Sequence, residues 1–131
     1  MPALTQDRPT PEREGRLVSD PLATDAVIFA GALYVLDADG KAAPATAASA
    51  RPVRAVALRR ASDGAGDEHV DGAVGVFCFD GGTGAGEITR ADIGAAAYVV
   101  DDQTVTKTPG DCVAGTVFDV DERGVWIRIG G

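Results

Sequence analysis

Short apolar runs separated by turn residues make up most of the chain after residue 25. The last run, GVWIRI, alternates strictly, so that Val125, Ile127 and Ile129 share one face of a strand while Trp126 and Arg128 share the other. No segment keeps the 3.6-residue period of an amphipathic helix. The pattern therefore predicts an all-β fold, a small β-barrel or sandwich built of short antiparallel strands and hairpins, with at most one or two short helical turns.

Residues 1–22 differ from the rest of the chain in composition. Prolines alternate there with charged residues, and only Leu17 and Val18 are convincingly apolar. Such a segment cannot bury enough surface to offset the entropy lost on ordering. We therefore predict a flexible, Pro-rich N-terminal arm over residues 1–22 and a single β domain over residues 23–131. The arm is either a mobile terminus or a segment that orders against a partner.

Two stretches of the β domain echo each other. GALYVLDADGKAAPA resembles AAAYVVDDQTVTKTP, with Tyr34 matching Tyr98 and Asp37 matching Asp101. Each stretch is followed by a Pro-containing loop and then by a Val-rich strand. Two such strand–turn–strand units facing each other would make a compact barrel or sandwich.

Composition limits the partners that the chain can have. The 131 residues suffice for one domain, and the formal net charge is −8, from 12 basic and 20 acidic side chains. An acidic surface repels a phosphate backbone, so we expect no nucleic-acid partner. No stretch approaches the length of a membrane span, so we expect no membrane partner either. The two cysteines lie in apolar runs and make no disulfide framework. A cysteine in such a run is more often a buried free thiol than a reactive one.

The stretch VFCFDGGTGAGEIT places a glycine-rich loop after a strand, as phosphate-binding loops do. A P-loop needs a lysine and a hydroxyl residue after its last glycine, whereas Glu87 follows Gly86 here. Gly82, Gly84 and Gly86 also lack the spacing of a dinucleotide-binding fingerprint, and the chain reaches Gly94 too soon for a crossover helix. We predict a turn between strands at this position.

Side chains with catalytic or metal-binding chemistry are scattered along the chain. His69 is the only histidine and is too isolated for a catalytic triad or a multi-histidine metal site. Cys78 and Cys112 lack C-x-x-C spacing, and no serine lies in a G-x-S-x-G elbow. The Asp-Gly turns do not complete a calcium-binding loop. We therefore expect no enzyme activity, no cofactor and no metal.

The run GAAAYVVDDQTVTKTPGDCVAGTVFDVDERGVWIRI resembles the C-terminal part of small bacteriophage head-decoration proteins, also called capsid cement proteins. The shared layout is a Gly/Ala lead, a strand that reaches Asp101, a Val-rich strand through Gly115, an Asp-rich turn and a closing strand. GALYVLDADGKAAPATAASARPVRAVALRRAS is similar to the strand, Ala-rich loop and strand of the same group, including lambda-type proteins with an extended N-terminal arm. The resemblance covers most of residues 26–129. One departure is IGAAAYV, where related sequences often place a polar residue after the glycine.

The resemblance implies a non-enzymatic structural virion protein that binds the outer surface of a phage capsid and stabilises the shell. Its partners would be the major capsid protein and itself, as a homotrimer, and it would be made in the host bacterial cytoplasm. An exposed Trp126 beside Arg128 suits an interface, although Trp126 could equally cap an end of the barrel. The arm could add a strand to the sheet edge of a neighbouring protein. The candidate interface residues are Arg8, Pro11, Arg13, Arg16, Leu17, Val18, Trp126 and Arg128.

Other functions stay open at this point. The base of a head fibre or spike also uses a β domain with an anchoring arm. A β-barrel module that binds a small molecule or carbohydrate would need a pocket lined with aromatic side chains, of which the chain has few. A hydrolase would need a clustered set of titratable residues that the sequence does not show.

Overall fold

Antiparallel strands account for nearly all regular structure in the computed structural model, which describes residues 3–13 and 15–130. The prediction of an all-β fold is confirmed. Three single turns of 3₁₀ helix, Asp63–Ala65, Gly84–Gly86 and Arg90–Asp92, are one more than the sequence analysis allowed. The strands are β1 (Leu17–Pro21), β2 (Val27–Ile28), β3 (Leu33–Leu36), β4 (Ala42–Pro44), β5 (Ala55–Ala57), β6 (Ala61–Ser62), β7 (His69–Ala73), β8 (Gly75–Phe79), β9 (Ala96–Val99), β10 (Val105–Thr106), β11 (Val113–Asp121) and β12 (Gly124–Ile129).

Ten of these strands form two five-stranded sheets with the same internal order. The first sheet runs β1-β7-β5-β3-β4, and the second runs β8-β12-β11-β9-β10. When the five strands of each sheet are numbered in chain order, their order across the sheet is first, fifth, fourth, second, third. The remaining pair, β2 and β6, makes a small third sheet. The two large sheets therefore repeat one topology.

Contacts at the start of the second strand of each set also repeat. Gly31 before β3 and Gly94 before β9 both have positive φ angles, 85° and 94°. The Gly31 N–H donates to the Ala57 carbonyl at 2.8 Å, and the Gly94 N–H donates to the Val117 carbonyl at 2.8 Å. Glycine adopts this backbone conformation without the steric cost that a Cβ atom would add. Both glycines thus turn the chain into equivalent positions of the two sheets.

The two echoing stretches of the sequence form equivalent hairpins. Tyr34 lies in the β3–β4 hairpin and Tyr98 in the β9–β10 hairpin, each paired with the returning strand. The carboxylates of Asp37 and Asp101 each accept a hydrogen bond from the backbone N–H two residues ahead, at 2.9 and 3.0 Å. These side-chain bonds fix the hairpin turns, which explains why Asp recurs at that point.

The main hydrophobic core joins the two large sheets. Val125, Ile127 and Ile129 of β12 are buried in it, as their alternation predicts, and they share it with Leu33 and Val56 of the first sheet. A second cluster lies between the other side of the first sheet and the β2–β6 pair. Its largest fully buried members are Tyr34, Ile28 and Val70. The first sheet is thus packed on both sides.

The boundary predicted at residue 22 lies inside the folded domain. Residues 17–21 form β1, which pairs antiparallel with β7, although the sequence analysis assigns them to the arm. Val18 packs on the second hydrophobic cluster, and the Asp20 carboxylate is buried against partners far along the chain. The composition of LVSDP does not reveal these tertiary partners. In the described ranges, residues 3–13 are exposed and form no strand.

The glycine-rich loop after β8 is a turn, as predicted, and close packing explains two of its glycines. A Cβ atom on Gly81 would meet the Val125 side chain, and one on Gly86 would meet the Thr106 hydroxyl. That hydroxyl donates to the Gly86 carbonyl at 3.0 Å. The loop therefore lies against β10 and β12, where side chains larger than hydrogen would not fit.

Candidate functional site

The outer face of the second sheet carries aromatic side chains, of which Phe118 is exposed and Trp126 and Tyr98 are half-buried. Trp126 and Arg128 point away from the core, as the alternation of β12 predicts. Trp126 is flanked in register by Cys78 of β8, and Arg128 lies between Val76 of β8 and Thr116 of β11. We call the surface formed by Tyr98, Thr116, Phe118, Trp126, Arg128, Val76 and Cys78 the aromatic face.

Of the aromatic face, only Trp126 and Arg128 are predicted from the sequence, and Phe118 is the most exposed of the residues that were missed. Phe118 lies on the solvent side of β11, at the bulge between Val117 and Asp119, and half of its surface is exposed. The Arg128 guanidinium carbon lies 5.0 Å from the centre of the Phe118 ring, a cation–π distance. Alternation in TVFDVD already predicts opposite faces for Val117 and Phe118, and this signal would have found the residue.

Polar groups hold the rim of the aromatic face in place. The Trp126 indole N–H donates to the Asp121 carboxylate at 2.9 Å, which fixes the ring against the β11–β12 turn. The Arg90 guanidinium donates to the Asp119 carboxylate at 3.1 Å and to the Val120 carbonyl at 2.8 Å. An apolar centre with a polar rim is the usual anatomy of a protein–protein interface.

The N-terminal candidates divide into two groups. Arg8 and Pro11 are exposed in the arm, and the Arg8 guanidinium donates to the hydroxyl of its neighbour Thr10 at 2.8 Å. Arg13, Leu17 and Val18 come together beside the first sheet, where they line one open hollow. The N-terminal candidates and the Trp126–Arg128 pair therefore lie on different sheets and do not form one site.

Arg16 connects the arm to the first sheet through its backbone. Its carbonyl accepts a hydrogen bond from the Val74 N–H at 2.8 Å, just beyond the last register pair of β1 and β7. At the other end of the strand, the Leu22 N–H donates to the Glu68 carbonyl at 3.0 Å. Since hydrogen-bonding residues alternate along an antiparallel pair, the even-numbered residues of β1 face β7.

The odd-numbered residues of β1 therefore present their backbone groups to the outside. β1 is an edge strand of the first sheet, so the N–H and C=O groups of Leu17 and Ser19 point away from the ladder. Pro21 ends the strand without an N–H, a residue that limits uncontrolled pairing at edges. Leu17 is also 53% exposed. A further extended strand can therefore pair with β1 on the side that faces away from β7.

A buried carboxylate anchors β1 to the domain. Asp20 is only 6% exposed, accepts a 2.8 Å hydrogen bond from the Tyr34 hydroxyl, and pairs with the Arg54 guanidinium at 3.1 and 3.3 Å. Burial, followed by this hydrogen bond, raises the pKa of Tyr34 well above 10.0. The hydrogen bond to Asp20 likewise raises the pKa of Arg54. β1 is therefore a fixed edge onto which a partner can dock.

The two thiols are in different surroundings. Cys112 is buried and its thiol donates to the Arg51 carbonyl at 3.3 Å, whereas Cys78 is half-buried on the aromatic face. Burial raises the pKa of both thiols, which keeps them protonated and weakly nucleophilic at neutral pH.

Within the described ranges, no group of three His, Cys, Asp or Glu side chains is placed to hold a metal ion. No helix there is long and apolar enough to cross a membrane.

Comparisons with protein-family models, with curated proteins and with solved structures find no match to this chain. The sites described above therefore rest on the geometry of the chain itself. The resemblance to head-decoration proteins remains a prediction from sequence.

Proposed function

We propose that the protein is a structural virion protein that binds the outer surface of a phage capsid and stabilises the shell. The observation that best supports this proposal is the exposed arm of residues 3–13 leading into β1, an edge strand with outward backbone groups at Leu17 and Ser19. An extended segment of the major capsid protein can pair with such an edge, because backbone hydrogen bonds give affinity without a pocket. The Asp20 anchor keeps the edge in place during docking.

Self-association as a homotrimer is part of the proposal. A closed trimer presents three arms and three β1 edges to the shell at once. Linked weak contacts then act together, so that the combined affinity exceeds that of one arm by orders of magnitude. The aromatic face supplies a further contact surface, since Trp and Arg with an apolar surround are typical of residues that dominate binding energy.

The experiment removes residues 1–12 and leaves β1 and Arg13, which lines the hollow beside the first sheet, intact. A deletion through residue 22 would also remove β1 and the buried Asp20, and so would confuse loss of binding with loss of folding. The probe is empty phage shells assembled from the major capsid protein alone. Binding is read by co-sedimentation, and shell stabilisation is read as the rise in the shell's melting temperature.

We expect the full chain to bind and raise that melting temperature, and the truncated chain to bind at least about tenfold more weakly while its own unfolding midpoint stays the same. A matched control replaces Asp7, Arg8 and Glu12 by Ser and keeps the length of the arm. Failure of the full chain to bind any such shell would refute the decoration function. Undiminished binding by the truncated chain would refute the role of the arm.

A further inference from the structure

A hollow rich in arginine lies beside β1, at the edge of the first sheet. It has a volume of about 410 Å³, and three guanidinium groups and two leucine side chains line it. Both leucines are well exposed, Leu17 at 53% and Leu58 at 45%. We call this hollow the arginine groove, and the residues that define it are Arg13, Arg54, Arg59, Leu17, Leu58 and Asp71.

The arginine groove has a small excess of positive charge on a molecule that is negative overall, because three arginines stand against Asp71 in its lining and the buried Asp20. Arg59 is exposed and its 3.6 Å contact with Asp71 is a loose surface pair, which contributes little attraction in water. The Asp20 carboxylate pairs with the Arg54 guanidinium and compensates its charge, so the attraction of the groove for an acidic partner comes from Arg13 and Arg59. The chain as a whole carries a formal charge of −8. The groove therefore attracts an acidic, partly apolar element.

An acidic loop lies at the opposite end of the same strand pair. Leu17 pairs with Ala73 at the groove end of β1 and β7, and Pro21 pairs with His69 at the other end, where the loop of residues 63–68 enters β7. These ends are about 14 Å apart, at about 3.4 Å per residue. The β1–β7 pair thus has one basic end and one acidic end.

Within the acidic loop, one carboxylate is available for a partner. Asp63 accepts from the Asp25 N–H at 2.9 Å, and Asp67 accepts from the Ser62 N–H at 2.8 Å. The Glu68 side chain is exposed and makes no hydrogen bond or ion pair to any part of the chain that the structure describes. Two acids shape the loop, and Glu68 points its charge outward from it.

We infer that copies of this chain associate head to tail, with the Glu68 loop of one copy docked in the arginine groove of the next. Two molecules of charge −8 repel each other, and a contact that brings an acidic region against a basic one offsets this repulsion. The groove and the loop are different surfaces, and such a heterologous contact closes into a ring when its rotation fits. The inference rests on the proposed self-association and names the surfaces that carry it.

The test measures the solution mass of the full chain by sedimentation velocity over a dilution series, at about 0.1 and about 1 M NaCl. Three variants are compared with the wild type: Arg59→Glu, Glu68→Arg, and the double variant that carries both. The matched control is Arg123→Glu, an exposed arginine on the β11–β12 turn outside the groove. Thermal unfolding by circular dichroism checks that every variant is folded.

We expect the wild type to form a defined oligomer that weakens at high salt, because charge attraction is screened there. Each single variant places like charges together and should weaken assembly at least about tenfold, and the double variant should restore it. The Arg123→Glu control should assemble like the wild type. A strictly monomeric wild type overturns the inference, and so does a double variant that stays dissociated or single variants that assemble normally. If the wild type is monomeric but still binds shells, the head-to-tail contact is refuted and the decoration function is not.

Discussion

At the scale of single residues, the Asp20 carboxylate decides whether β1 belongs to the domain. Asp20→Ala leaves the Tyr34 hydroxyl and the Arg54 guanidinium without their shared partner. We expect the free energy of unfolding to fall by about 2–4 kcal/mol, because buried polar groups that lose a partner keep their desolvation cost. Urea unfolding followed by circular dichroism measures the change.

The control for this prediction is Asp71→Ala. Asp71 also pairs with an arginine, Arg59, but both side chains are exposed, at 49% and 75%. Exposed ion pairs contribute roughly 0–1 kcal/mol, so this variant should unfold near the wild-type midpoint. Equal losses in the two variants would show that burial of Asp20 has no special role.

Ionisation of Tyr34 makes the stability of the folded protein depend on pH. Its pKa is raised in the folded protein above the unfolded value of 10.0, mainly by burial and next by the hydrogen bond to Asp20. The folded state therefore holds this proton more tightly, and the resulting stability is present in full below pH 10 and is lost as the pH rises further. Tyr34→Phe has no such proton, so its midpoint in urea should decline less between pH 9 and 11 than the wild-type midpoint. Parallel declines in the two proteins would contradict the prediction.

At the scale of strands, β11 and β12 approach closely at Gly115. A Cβ atom there would meet the Arg128 carbonyl, a backbone group that cannot rotate away as a side chain would. Gly115→Ala should therefore disturb the β11–β12 ladder and lower the free energy of unfolding by about 1–3 kcal/mol. Gly110→Ala is the control, because nothing lies within 4 Å of a Cβ atom at that position. The fluorescence of Trp126, on the adjacent strand, reports both transitions, and an unchanged midpoint for Gly115→Ala would be the contrary result.

Strand β12 and strand β1 show what the sequence can and cannot predict. The alternation of GVWIRI suffices for β12, since burial of every second residue leaves a periodic signal in the chain itself. LVSDP carries no such signal, because the burial of Asp20 depends on Tyr34 and Arg54, which are 14 and 34 residues away. The same holds for the site: Trp126 and Arg128 follow from alternation, whereas the arginine groove is assembled by folding from residues 13, 54 and 59.

At the scale of the whole molecule, the repeat in strand topology covers more of the chain than the repeat in sequence. The echo covers one hairpin in each half, yet all five strands of each large sheet follow the same order. Strand order depends on backbone pairing and on turns such as those at Gly31 and Gly94, which constrain few side chains. Two halves can therefore keep one topology while most of their side chains differ.

The two halves nevertheless form one cooperative unit, because the main core contains side chains of both large sheets. Val56 of the first sheet is 5% exposed and packs in the same cluster as Ile127 of the second. Val56→Ala should cost about 2 kcal/mol and should shift the unfolding midpoint seen by Trp126 fluorescence, although Trp126 lies in the other sheet. Circular dichroism of the same samples should give the same midpoint. A Val56→Ala protein whose Trp126 transition stays at the wild-type position would mean that the sheets unfold independently and that the shared core does not couple them.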